Sequence, residues 1–292
     1  MQIKVLFWNY NVGKGALMTK ELVKGAPLSR MVSNLAIDLL IVADCSLSNT
    51  EILGSLKTHG IDFTTFPIPH PKVRFFWRST SPGLIDVHSD ERFHFARLAP
   101  DGFEEILIGA THLYDRHNNQ EARERHSKVS SHMKTLFEAE SRVKHDRTIL
   151  VGDFNMTPEE EGMVDRENSF GALMSWDLAK AHSAPELQEA PRFFNPMWSL
   201  MGRAEAPGTY YWDSTKSYNI YWLCLDGVIA RNSLRDVFRD ETLEIITKIS
   251  DGNGGEVPLF RLAEKHWKIE FSDHLPIRFD LQLRPNQPGV IS

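Results

Sequence analysis

The sequence predicts an α/β fold in which two packed β-sheets are flanked by helices. Short apolar runs of strand length recur at Ile3–Trp8, Leu39–Ala43, Val73–Trp77, Ile106–Ala110, Ile149–Val151, Leu225–Ala230 and Ile277–Leu281. Most do not alternate cleanly between apolar and polar, the pattern of strands covered on both faces. Helical patterns separate only some of the runs, so the order lacks the strict β-α alternation of a doubly wound single sheet.

The first run lies in Met-Gln-Ile-Lys-Val-Leu-Phe-Trp-Asn, too short and too aromatic for a signal peptide, and reads as a strand. Met31–Ile37 carries a helical pattern. Gln120–Ala139 predicts a long charged helix, with Val129, Met133 and Leu136 at helical spacing. A third helix is expected to begin at Thr157-Pro158-Glu159-Glu160, a capping box with proline at the first helical position. Asp251-Gly252-Asn253-Gly254-Gly255 reads as an exposed turn.

Residues 189–222 are dense in rings: Phe193, Phe194, Trp198, Tyr210, Tyr211, Trp212, Tyr218, Tyr221 and Trp222. Pro191, Pro196, Pro207 and Gly208 argue against one helix there, so the segment reads as a structured excursion between core strands. It is either a satellite core beneath a long loop or a wall of rings that stack on a substrate. No linker divides the chain. One domain is expected over residues 1–283, followed by a frayed tail at 284–292 that holds two prolines.

A chain of 292 residues with 17 Phe and 7 Trp can bury about 75% of its unfolded surface. Its formal charge of −6 gives no global positive field to gather nucleic acid. Such a substrate needs a local basic patch or metal ions. Lys72, Arg74 and Arg78 interleave with Phe75, Phe76 and Trp77, as either an electropositive strip or an edge strand with charged outward faces. Two cysteines make no disulfide framework, which points to a reducing, cytoplasmic compartment. No apolar run reaches the length of a membrane span.

The apolar runs share a second property: they stop at polar residues of ligand type. The segments are Trp8-Asn9-Tyr10-Asn11, Ala43-Asp44, Thr111-His112-Leu113, Gly152-Asp153-Phe154-Asn155 and Ser272-Asp273-His274-Leu275-Pro276, with Leu225-Asp226-Gly227 adding a carboxylate. If the strand pattern continues, Asp153 and Asn155 share one face. Oxygen donors with few sulfur or imidazole groups favour a hard cation, Mg²⁺ or Mn²⁺, over Zn²⁺. Such an ion stabilises charge on a phosphoryl oxygen and helps generate hydroxide. Each residue also has a plainer reading. Asp153 and Asn155 could cap a turn, Asn9, Asn11 and Asp44 could be turn or loop residues, His112 and His274 could be packed histidines, Asp226 a strand-edge carboxylate and Arg125 a helix-face charge.

In this order the motifs resemble the endonuclease/exonuclease/phosphatase superfamily, which includes pancreatic-type DNases, apurinic endonucleases, tyrosyl-DNA phosphodiesterases, deadenylases, sphingomyelinases and inositol-polyphosphate phosphatases. The resemblance spans about residues 3 to 281. Gly-Asp-Phe-Asn and Ser-Asp-His match fully, with Trp-Asn at the front and Thr-His-Leu between. Arg125 lies on the long helix after Thr-His-Leu, where the phosphodiesterase and deadenylase branches often place an arginine.

The resemblance implies a DNase I-like, four-layer α/β/β/α sandwich with its active site at one edge. It implies that Asn9 and Asp44 hold the divalent metal and that Asp273 helps. Asp153 would orient or deprotonate the attacking water, and Asn155 would position that water or a phosphate oxygen. His274 would contact the phosphate and stabilise the transition state, its imidazole oriented by Asp226. His112 would donate to a phosphoryl oxygen or the leaving group, Asn11 would line the cluster and Arg125 would contact substrate. In-line displacement develops charge on equatorial and leaving oxygens, which fixed donors and a cation stabilise.

Two positions depart from the family pattern. Val42-Ala43-Asp44 stands where the family has Leu-Gln-Glu, and the aspartate reaches roughly 1.5 Å less far. Cys224-Leu225-Asp226 stands where the family often has a basic residue before Ile-Asp. The implied function is a metal-dependent phosphodiesterase with a phosphate-containing substrate, nucleic acid and DNA first. A phosphoesterase for a small molecule or lipid head group is the alternative. An inactive scaffold that only binds is the third reading, resting on Asp44 alone. No protein partner is predicted.

Overall fold

Apolar side chains cover both faces of the central strands, and that double coverage builds the layers. A computed structural model describes residues 1–11, 25–80, 83–115, 122–180, 192–201, 208–211, 222–251, 254–263, 266–269 and 271–286. In chain order the strands are β1 (Gln2–Asn9), β2 (Leu39–Ala43), β3 (Phe63–Thr65), β4 (Val73–Arg78), β5 (Leu84–Ser89), β6 (Phe93–Leu98), β7 (Ile106–His112) and β8 (Thr148–Asp153). There follow β9 (Ala172–Leu173), β10 (Phe193–Phe194), β11 (Tyr210–Tyr211), β12 (Trp222–Leu223), β13 (Asp226–Arg231) and β14 (Phe238–Ile245). The last are β15 (Lys248–Ser250), β16 (Glu256–Pro258), β17 (Phe260–Ala263), β18 (His266–Ile269) and β19 (Ile277–Gln282). The helices are α1 (Ala26–Asn34), α2 (Asn49–Thr58), α3 (Ala122–Val143), α4 (Glu161–Val164) and α5 (Trp176–Lys180).

One sheet has the order β14-β19-β1-β2-β4-β3, the other β5-β6-β7-β8-β13-β10-β9. They pack face to face, β1 against β8 and both β2 and β4 against β7. The period of two in the second sheet decides which residues meet the first. Ile108, Ala110, Ile149, Val151, Val228 and Ala230 join the core between the sheets. Leu107, Leu150 and Ile229 point the other way, into a separate core with Phe93, Phe95, Phe170 and Phe193. The buried stripe of α3, Val129, Met133 and Leu136, covers that outer core. Leu28, Met31 and Val32 of α1, with Ile52 and Leu56 of α2, pack with the first sheet. The result is the expected four-layer α/β/β/α arrangement.

Several local expectations need correction. The helical pattern at Met31–Ile37 belongs to α1, which starts five residues earlier, with proline in its first turn. α2 was not foreseen, although Ser48 and Glu51 close a full capping box at its start. At Thr157 the chain makes a turn, not a helix: Glu160 reaches back to the Thr157 N–H at 3.0 Å, and the four-residue α4 begins only at Glu161. The Asp251 turn closes the β15–β16 hairpin, with Asp251 N–H donating to the Gly255 carbonyl at 3.0 Å. Within the ring-dense excursion, Phe193 and Phe194 form β10 and pair with β13. Trp212, Tyr218 and Tyr221 lie outside the described residues. Past residue 283 the chain stays attached: Pro285 bridges Phe103, and Asn286 N–H donates to Gly102 O at 2.9 Å. The rest of the expected tail lies outside the described residues. No described helix is long and apolar enough to cross a membrane.

Candidate active site

The polar residues gather because strand ends from both sheets coincide. In the second sheet His112, Asp153 and Asp226 are register partners, with Asp153 on the middle strand. Each keeps the phase of the residues that face the first sheet: His112 follows Ile108 and Ala110, Asp153 follows Ile149 and Val151, and Asp226 precedes Val228 and Ala230. From the first sheet, Asn9 ends β1 as the partner of Ala43, so Asp44 comes one residue beyond it. His274 arrives just before β19, whose Ile277 pairs with Phe7.

Gly152 lets β7 and β8 meet. A Cβ there would lie 2.1 Å from the carbonyl oxygen of its register partner Thr111. After Asp153 the strand ends. Asn155 has φ of 53°, a left-handed conformation that asparagine tolerates better than most residues. Its N–H donates to Asp153 Oδ1 at 2.8 Å and its Nδ2 to Leu113 O at 3.1 Å. The expectation that Asp153 and Asn155 share a strand face therefore fails. A turn closed by the aspartate itself joins them instead.

Asp153, Asp226, Asn9 and His274 are all buried. Asn9 Nδ2 donates to Asp153 Oδ2 at 2.8 Å and lies 3.5 Å from His274 Nε2. The carboxylate fixes the amide orientation, because an oxygen facing Asp153 would be repelled. Among the described residues, Asn9 Oδ1 is then buried without a hydrogen-bond partner. His112 Nε2 lies 3.5 Å and His274 Nε2 3.9 Å from Asp153 Oδ2. On its other side His274 Nδ1 is 2.8 Å from Asp226 Oδ2.

Three contacts missed in the sequence hold this pair. Thr209 Oγ1 accepts the N–H groups of Leu225 and Asp226 at 3.1 and 3.0 Å. Trp8 Nε1 donates to the His274 carbonyl at 2.9 Å. The ring of Tyr210 packs on His274 at 4.7 Å. Tyr210 belongs to the aromatic excursion, so its residue type was visible. No periodicity links positions 210 and 274, and the contact was not.

Electrostatics divides the acids. Burial alone would raise the pKa of Asp153, but His112, His274 and the Asn155 N–H outweigh it and hold the group below its usual value. Burial pushes Asp226 up to about 6, against the pull of His274. Burial would lower His274, yet Asp226 and Asp153 dominate and lift it to about 9. At neutral pH the raised His274 is an imidazolium between the Asp153 and Asp226 carboxylates.

Asp153, Asp226 and His274 offer ligand atoms within 4.8 Å of one another, close enough for one metal ion. Their mutual hydrogen bond and the protonated imidazole suit a proton-bearing pair better than a ligand set. The buried amide oxygen of Asn9 is the hard donor these bonds leave over, and Asp44 follows its strand partner. Asp44 itself has φ of 44° and accepts from Asn11 Nδ2 at 2.9 Å. This oxygen-donor corner fits a hard cation. Asp273 is half-buried, and its charge helps burial raise Tyr210 to about 12.

Arg125 is drawn toward the 157–160 turn. Its guanidinium forms a buried ion pair with Glu160, the residue that reaches back to Thr157. One arginine among several charges on this helix gave no signal of that partner.

The geometry agrees with what comparisons find. The model of the Endonuclease/Exonuclease/phosphatase family matches residues 47–274. No curated protein matches the sequence. Among solved structures, the human Nocturnin catalytic domain with bound sulfate superposes with a TM-score of 0.55 at 16% identity, covering 97% of this chain and 95% of that one. D. rerio TDP2 complexed with single-strand DNA product gives 0.56 at 13%, covering 96% and 99%. A family protein from Leptotrichia buccalis gives 0.55 at 13%, covering 96% and 99%. Such identities show the shared DNase I-like fold, and the family match extends over most of the chain. This chain belongs to the Endonuclease/Exonuclease/phosphatase family.

Proposed function

We propose that this chain is a metal-dependent phosphodiesterase that cleaves nucleic acid, DNA first, by in-line attack of water. The observation that carries the reading is the meeting of Asn9, Asp153 and His274, from both sheets, within hydrogen-bonding reach. The likeness to a TDP2 structure that holds a single-strand DNA product supports the choice of substrate.

Asp153 is favoured as the anion, braced by Asn9, His112 and the Asn155 N–H. A carboxylate held below its usual pKa is a weak base, so its main work is to orient the water, with the proton passing to it late. His274 is the charged donor. Its Nε2 faces the cluster, and Asp226 on Nδ1 fixes the ring and keeps the charge, which stabilises a phosphoryl oxygen as negative charge develops. His112 serves Asp153 first. Asn155 holds Asp153 through its N–H, Asn11 holds Asp44, and Arg125 acts at one remove by bracing the 157–160 turn. Asn9 Oδ1 and Asp44, with Asp273 nearby in sequence to His274, would hold Mg²⁺ or Mn²⁺. Such a cation supplies charge neutralisation at the phosphoryl group and acidifies the attacking water.

The test is a screen of single-stranded and duplex DNA, RNA, nucleotides, inositol phosphates and phospholipids with Mg²⁺ or Mn²⁺. Metal-dependent oligonucleotide cleavage that Asp153→Ala abolishes is the expected result. Undiminished cleavage in that variant excludes the site, and turnover of small phosphoesters alone selects a small-molecule enzyme instead.

A further inference from the structure

Next to the cluster, on the β6–β7 side, stands a second group of polar side chains that the reaction does not use. Tyr114 follows His112 by two residues, so their Cα atoms are at most about 7 Å apart. Its hydroxyl donates to Glu91 Oε1 and lies 3.3 Å from His132 Nε2. The guanidinium of Arg92 sits 3.8 Å from the Tyr114 ring centre, and Lys128 Nζ sits 4.8 Å from it.

The group is anchored to the site and to the fold. Arg92 O accepts the His112 N–H at 3.3 Å, and an Arg92 guanidinium nitrogen donates to the His112 carbonyl at 3.4 Å. Asp90 fixes the turn beneath. It accepts the N–H groups of Arg92 and Phe93 at 2.7 and 2.8 Å, Thr135 Oγ1 at 2.6 Å, and pairs with His132 Nδ1 at 2.7 Å.

Glu91 is the odd member. Its side chain is 66% exposed, yet its Oε1 is bonded by Tyr114 and lies 4.0 Å from Arg92 Nε and 3.9 Å from His132 Nε2. An exposed carboxylate seldom needs several partners, because water solvates it well. Tyrosine, arginine and histidine converging on one anionic oxygen, beside a phosphoester site, form the surroundings of a phosphate.

We propose that Arg92, Tyr114 and Lys128 form a subsite for a backbone phosphate flanking the scissile bond, and that Glu91 occupies it until substrate displaces the carboxylate. The proposal rests on the nucleic-acid reading above. Glu91 then acts as internal competitor: it lowers affinity for long substrates and selects for a phosphate correctly placed next to the cleaved one.

The experiment compares kcat/KM for a short single-stranded DNA with kcat/KM for bis(4-nitrophenyl) phosphate, which has no flanking phosphate, across a salt series. For Glu91→Gln the DNA-to-reporter ratio is expected to rise about threefold, and for Arg92→Gln and Tyr114→Phe to fall about threefold or more. Arg92→Gln should also flatten the log–log salt dependence of DNA turnover by about 0.7, a change a purely structural prop for His112 does not produce. Wild-type cleavage of both substrates with the ratio and slope unmoved by all three substitutions overturns the subsite alone. Equal losses on both substrates overturn it too. A wild-type protein that does not cleave the DNA ends the nucleic-acid reading and the subsite together.

Discussion

Asp226 Oδ2 and His274 Nδ1 lie 2.8 Å apart, both buried, so this carboxylate orients the site's central imidazole and leads the groups that keep it charged. Burial works against the imidazolium, and Asp226 and Asp153 override it to place the pKa near about 9, above the ordinary 6.5. A raised histidine pKa contributes stability fully below about pH 6.5, and that contribution is lost as pH rises through about 9. Asp226→Asn should remove most of this dependence. Melting temperature of the metal-free protein measured from pH 6 to 9.5 checks it: a fall for the wild type, a flatter profile for the variant. The activity limb that follows His274 should move to lower pH.

Asp153→Asn keeps the volume but removes the charge that Asn9, His112 and His274 surround. The expected loss in kcat is on the order of 10²-fold or more, with the fold retained by circular dichroism. A rate near wild type would mean that the water is oriented elsewhere.

Asp44 sits in a left-handed conformation that asparagine also accepts. Asp44→Asn therefore tests charge without adding strain. Mn²⁺ affinity by calorimetry should fall on the order of tenfold, while the unfolding midpoint of the metal-free protein stays close to wild type. Unchanged affinity would remove Asp44 from the cation site.

Gly152→Ala pushes a methyl against the Thr111 carbonyl and spreads β7 from β8. Denaturant unfolding should show a loss of about 1–3 kcal/mol. Activity should fall further than stability explains, because His112 and Asp153 are the next register pair.

Arg125 and Glu160 are buried partners, their side chains 6% and 14% exposed. Arg125→Leu removes the charge partner of Glu160, which keeps its bonds to Thr157, and should destabilise by about 3 kcal/mol, while adding Glu160→Gln, which removes the charge, should recover part of that. Chemical denaturation of the four cycle members reads the difference.

The layers and the site were legible in the sequence to different depths. Ile149, Leu150 and Val151 are apolar in succession because consecutive residues enter different cores, and that reads directly as a doubly covered strand. Leu84–Ser89 carries Asp86 and His88 on an outer strand, so no apolar run announced it. The polar residues that follow apolar runs marked most of the cluster. What sequence did not carry were partners fixed by tertiary approach: Thr209 beneath Asp226, Tyr210 on His274, Glu160 against Arg125. The left-handed turn at Asn155 was hidden for a related reason. A strand's end is set by what its neighbour offers, not by its own residues.

His274 is separated by 265 residues from Asn9, yet the two side chains meet. β19, which follows His274, inserts between β1 and β14 in the first sheet. Within the described residues, β14 joins the first sheet through β19, while β1, β2, β4 and β3 pair without it. The segment after residue 271 therefore carries two things at once, the site's imidazole and the link that ties β14 to β1, so truncation there should lose both together.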